Sequence, residues 1–155
     1  MKKKMMQTLF VFLFVAGLVL GYLLPGDINS FVKKSQNGFK PGVFDVSKGI
    51  GQLEQESPYF KYSVLARTET ADVELIRLDG KIPLHKNPDE NHFVYVIKGR
   101  LKGTLGNVTS VFEPDQLVVV PSGVPHSFER ASDSPVEMLL FTAPYIVNNT
   151  VFMEK

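Results

Sequence analysis

Between residues 60 and 142 apolar and polar residues alternate in short runs, and no run repeats at helical spacing. Phe60, Tyr62 and Val64 alternate with Lys61 and Ser63. Val73 and Leu75 flank Glu74, and Ile76 and Leu78 flank Arg77, so the apolar face switches once in that segment. Further runs cover residues 92–98, 100–105, 109–112, 116–120, 126–130 and 136–142. Successive side chains of a strand point to opposite faces, so a period of two marks half-buried strands. Val, Ile, Phe, Tyr and Thr, frequent here, fit that pleated surface. The intervals carry Gly, Pro, Asp or Asn, and Gly99 and Gly103 are read as hairpin or bend positions. With no helix between the strands, the pairing must be antiparallel. The sequence therefore predicts an all-β sandwich, jelly roll or barrel over residues 60–147, with 148–155 as a tail.

The residues before this region have a different texture. Lys2, Lys3 and Lys4 precede an apolar run from Leu9 to Leu24, and no charge occurs between Lys4 and Asp27. A basic cluster before an apolar stretch is an export signal, and lysines favour the cytoplasmic side. Counted from Met5, the run is long enough to span a bilayer as a helix. Residues 1–24 are read as a signal peptide or an uncleaved signal anchor, a transmembrane helix in the second case. Either way the domain lies outside the cytoplasm, in the periplasm or at the cell surface, membrane-anchored or secreted. Residues 25–59 are rich in Gly, Pro, Asn and Ser and read as a tether and lead-in, with one helical turn expected over 49–55.

Composition removes several functions. Cysteine is absent, which excludes disulfides, thiolate zinc sites, iron–sulfur clusters and thiol nucleophiles. The net charge is +1, and without the three leader lysines acids outnumber bases, so no cationic surface is available for nucleic acid. There is no G-x-S-x-G, no Gly-rich phosphate loop and no C-x-x-C.

Only three histidines remain to carry chemistry: His85, His92 and His126. His85 and Asn87 share one strand parity, Glu90 and His92 another, across a turn made by Asn87-Pro88-Asp89. His126 follows Pro121-Ser122-Gly123-Val124-Pro125, a tight turn that aims it. A third imidazole from a distant strand completes a facial set with open positions for substrate. Each histidine alone also fits an ordinary barrel residue. Val94 and Phe128, two residues on from His92 and His126, are expected to wall the pocket. Tyr95 has the opposite parity and is not nominated.

The stretch 79–99 (DGKIPLHKNPDENHFVYVIKG) resembles the first motif of the cupin superfamily, G-x5-H-x-H-x3-4-E-x6-G. His85 stands at the first His and Gly99 at the closing Gly. Asp79, Asn87 and His92 occupy the positions of the first Gly, the second His and the Glu. The stretch 115–130 (DQLVVVPSGVPHSFER) resembles the second motif, G-x5-P-x-G-x2-H-x3-N, with Pro121, Gly123 and His126 matching and Asp115 and Arg130 departing. The resemblance implies a double-stranded β-helix barrel (RmlC-like) with a mononuclear divalent transition metal inside it: Fe, Mn, Ni, Cu or Zn. Carried over by position, the ligand candidates are His85, Asn87, His92 and His126, with Glu90 able to replace His92 if the turn is shifted; the set the resemblance favours is His85, His92 and His126, with Asn87 or Glu90 in support.

Three neutral imidazoles without a carboxylate leave a divalent ion its full charge, which favours an anionic or enolate-like chelating substrate. Cupins with three-histidine sites include oxygenases, so the resemblance implies, for an enzyme, a metal-dependent dioxygenase acting on a small chelating molecule. The alternative is a non-catalytic module that binds a small ligand or metal. A homodimer is a further expectation, should the apolar strand Leu117–Val120 lie at an exposed edge.

Overall fold

The structure, a computed structural model, describes residues 42–153, so the expected leader and most of the tether lie outside the described residues. Two antiparallel sheets face each other. Their strands are β1 (Gln55–Glu56), β2 (Lys61–Arg67), β3 (Asp72–Leu78), β4 (Lys81–Lys86), β5 (Asn91–Lys98), β6 (Leu101–Leu105), β7 (Val108–Phe112), β8 (Leu117–Val120), β9 (His126–Arg130), β10 (Val136–Ala143) and β11 (Val151–Phe152). One sheet has the order β1-β2-β3-β10-β5-β8 and the other β11-β4-β9-β6-β7. The crossovers between non-sequential neighbours make this the jelly roll that the alternating pattern predicted. β1 and β11 fall outside the 60–147 range, because short edge segments with polar flanks carry no readable alternation.

A short helix, α1 (Val46–Gly49), opens the described residues, capped by Asp45, whose side chain accepts from the Lys48 backbone N–H. It lies just ahead of the turn expected at 49–55. Gly49 approaches Leu75, which is fully buried although it points away from the barrel interior. That cover explains the switch of apolar face read in β3: Ile76 and Leu78 fill the barrel, while Leu75 packs on its outside.

The core between the sheets comprises Ile76, Leu78, Ile82, Val94, Val96, Leu101, Val118, Val120, Phe128, Val136 and Met138. Burying such side chains stabilises by about 1.5–3 kcal/mol each relative to exposure. Most inward rows follow the period of two. β4 does not: Ile82 and His85, three residues apart, both point inward because the β4–β9 register shifts between them. The extra residue of such a bulge flips the parity beyond it, and Pro83, which lacks an N–H, sits within the shift.

Gly99 and Gly123 adopt positive φ at turns, as expected of those positions. Gly103 does not mark a bend. It lies inside β6, paired with Ser110 and Phe128, and a Cβ there would stand 2.7 Å from Phe112 and 3.0 Å from Phe128. Two rings press on the backbone, so the position needs a missing side chain rather than a special φ. Gly103→Ala should destabilise the fold by roughly 1–2 kcal/mol, since overpacking strain outweighs the backbone entropy gained. The denaturant midpoint would show it.

Candidate functional site

His85 and His126 are cross-strand partners in β4 and β9, and their ring centroids are 4.1 Å apart. His92, at the start of β5 in the opposite sheet, brings its ring to 5.6 Å from that of His126. All three are buried, with His126 only 1% exposed. Asn87 and Glu90, flanking the turn between β4 and β5, are buried too. These five residues line one cavity of about 460 Å³, together with Val94 and Phe128. The volume is in the range of small-molecule sites.

The hydrogen bonds fix which nitrogens face the cavity. His85 Nδ1 lies 2.7 Å from the Pro83 carbonyl and His126 Nδ1 lies 2.9 Å from the Val124 carbonyl. A carbonyl only accepts, so each Nδ1 carries the hydrogen and each neutral ring keeps its lone pair on Nε2. Nε2 of His126 is buried with no partner among the described residues. Burial lowers the pKa of His85, and it lowers His92 and His126 to about 4, with the neighbouring imidazoles adding to it. All three are therefore neutral at pH 7. Backbone-oriented, neutral imidazoles with free Nε2 lone pairs are the form in which histidine ligates metal.

Glu90 corrects the expectation of a site without a carboxylate. Its Oε2 lies 3.5 Å from His92 Nε2, and its Oε1 accepts from the Ile146 backbone N–H at 2.5 Å. Glu90, just before β5, and His92, near its start, share inward parity, so both enter the cavity instead of one replacing the other. Asn87 donates through Nδ2 to Glu90 Oε2 and Thr150 Oγ1, and its Oδ1 has no partner among the described residues. The donor chemistry thus suits a borderline divalent cation. The spacing is looser than a closed site: among the described residues, no three ligand-type side chains stand ready to hold an ion.

Two acids were missed. Asp72 and Glu74 also face the cavity, in the inward row of β3. The flanking of Glu74 by Val73 and Leu75 signalled a solvent-facing acid, because α1 makes the outer face apolar as well. The segment after β10 supplies Tyr145, Ile146, Asn148, Asn149 and Thr150 to the lip of the cavity, and β11 brings Phe152 to 5.6 Å from His85. Tyr95 and Arg130 stay outside: Tyr95 donates to Asp115, and Arg130 is held by the Asp133 carbonyl.

Residues 73–142 match the family model described as the Cupin domain. The barrel is also similar to solved structures. A double-stranded β-helix protein from Klebsiella pneumoniae superposes with a TM-score of 0.61 at 19% identity, covering 75% of this chain and all of that one. Oxalate decarboxylase of Lactobacillus farciminis gives 0.56 at 17% identity, covering 67% of this chain and 34% of that one. Residues 73–142 thus match a cupin domain, and the fold around them is the double-stranded β-helix of these solved structures. Among curated proteins the chain is similar to "Polyketide synthase CurC" of Streptomyces cyaneus, 30% identical over 70 residues. That match takes 45% of this chain and spans about half, 46%, of the relative.

The depressed imidazole pKa values carry a sign. Above about pH 6.5 the rings are neutral in the folded and the unfolded chain alike. Below it the unfolded chain takes up protons that the folded one refuses until about pH 4. The histidines' contribution to the stability of the metal-free protein should hold steady above pH 7 and fall from pH 6.5 to pH 4, with Glu74, raised to about 7, offsetting part of that fall. Unfolding midpoints across that window would show a shallower decline in His126→Asn.

Proposed function

We propose that the chain is an exported, metal-binding cupin that holds a small organic ligand in its cavity. The residues that would hold the ion are His85, His92 and His126, with Glu90 beside them. The observation that carries this reading is the buried, partnerless Nε2 of His126 between two other neutral imidazoles. An unpaired buried acceptor is costly to leave in a fold, and a cation removes the cost. Glu90 lowers the local charge expected of an all-imidazole site, so the pull on an anionic substrate is milder than the histidines alone implied.

A divalent transition metal at these residues would supply a Lewis-acidic centre open to a chelating substrate. The protein's own residues do the rest. Phe128, Val94, Ile82 and Met138 make an apolar wall that excludes water, and the two backbone carbonyls hold the imidazoles in one tautomer. Metal-dependent oxygenation of a small chelating molecule is the enzymatic reading. The likeness to a protein named as a polyketide synthase supports a substrate with paired oxygens, since polyketides are built from alternating carbonyls. A binding module without turnover is the second reading, favoured by Asn87 standing where the family motif has a histidine. Location outside the cytoplasm rests on Lys2, Lys3, Lys4 and the apolar run after them. Self-association rests on β8, which forms a sheet edge with Leu117 and Val119 56% and 49% exposed.

Purified protein should contain near-stoichiometric Fe, Mn, Ni, Cu or Zn by elemental analysis. His126→Ala should abolish it, and His92→Ala and Glu90→Gln should each weaken it about tenfold or more. A wild-type protein that neither carries nor takes up any of these metals would sink the proposal. Oxygen consumption with thiols, diketones and catechols then separates the oxygenase from the binding module.

A further inference from the structure

Arg67 and Asp72 are paired across β2 and β3, and Arg67 Nη2 reaches Asp72 Oδ2 at 2.5 Å. The same nitrogen lies 3.4 Å from Glu74 Oε1, and the guanidinium stacks 4.5 Å over the Tyr145 ring. This fixes one face of the acid pair. It leaves the rest of the acid pair facing the cavity: Asp72 is 3% exposed, lines the cavity, and has beside it, apart from Arg67, only the part-protonated Glu74 carboxyl, with no other partner for Oδ1 among the described residues. A purely structural ion pair accounts for Oδ2 and not for two carboxyl groups held side by side, sharing one proton, at a cavity wall.

Register sets the distance to the histidines. Asp72 pairs with Thr142, and Thr142 pairs with His92, so the three lie on one rung of β3, β10 and β5. All three are buried and line the cavity. Two strand spacings separate Asp72 from His92, roughly 10 Å. The same cavity is also lined by Tyr59, Phe60 and Tyr145.

The geometry points to a second subsite, in which Asp72 and Glu74 accept hydrogen bonds from hydroxyl groups at the far end of the ligand whose chelating end meets the histidines. The near end rests on the metal reading above; the acid wall does not. Hydroxyls suit this wall better than a fixed cation. Arg67 already balances Asp72, and burial together with Asp72 raises Glu74 to about 7, so little net negative charge is left for an ammonium. A hydroxyl both donates and accepts, which matches a carboxylate beside a part-protonated carboxyl group. The aromatic side chains cover the carbon skeleton.

Gluconate and 2-hydroxyhexanoate share an α-hydroxycarboxylate head, and only gluconate carries hydroxyls along the tail. Calorimetry on the metal-loaded full chain should show gluconate binding at least about tenfold more tightly. Asp72→Asn and Glu74→Gln should each remove most of that difference while leaving metal content and 2-hydroxyhexanoate affinity unchanged. Should Asp72→Asn fail to fold, Glu74→Gln decides. Equal affinity for the two acids, no gluconate binding, or discrimination that survives Glu74→Gln overturns the subsite. If instead the metal reading fails, the wild-type protein takes up no metal. Mannitol binding to the metal-free chain, lost in Glu74→Gln, then still supports the acid wall, and no mannitol binding overturns it.

Discussion

The pairing of His85 with His126 across β4 and β9 is the contact on which the site depends. Two imidazoles are held side by side, each tied through Nδ1 to the carbonyl two residues before it. Those carbonyls are free to serve because Pro83 lies at a register shift and Val124 lies in a turn, so neither is committed to a neighbouring strand in the usual way. The site thus uses backbone irregularities as its supports. A regular ladder would have left the rings without orientation.

The interior divides along the strands. Asp72 and Glu74 precede Ile76 and Leu78 in β3; Glu90 and His92 precede Val94 and Val96; His126 precedes Phe128; and β10, running the other way, ends in Thr142 after Val136 and Met138. One end is therefore packed with hydrocarbon, and the other collects the polar side chains. The packed end supplies the stability that lets the other end keep unpaired polar atoms.

Much of this was legible in the chain. The period of two exposed the strands, and the spacing of the histidine-bearing motifs exposed the barrel and the cavity wall. What stayed hidden has a physical reason in each case. The bulge in β4 leaves no composition signal, so the shared direction of Ile82 and His85 had to be seen. The inward turn of Glu74 was masked because α1 buries Leu75 on the opposite face, giving β3 two apolar sides. Gly103 read as a bend because a glycine emptied for two phenylalanine rings looks the same in sequence as one needed for its backbone freedom. Glu90 and His92 looked like rivals for one role, yet strand parity admits both.

The cavity's lip has a different origin from its floor. The floor belongs to strands paired on both sides, whereas the lip comes from residues 145–152, attached by the Ile146 N–H on Glu90, by Thr150 on Asn87 and by a two-residue strand beside β4. The opening is thereby tied to the machinery beneath it, since the same stretch braces Glu90, Asn87 and His85. Exchanging this short stretch would change which visitors are admitted and how long they stay, and any replacement would have to keep the bonds to Glu90 and Asn87 and the ring beside His85.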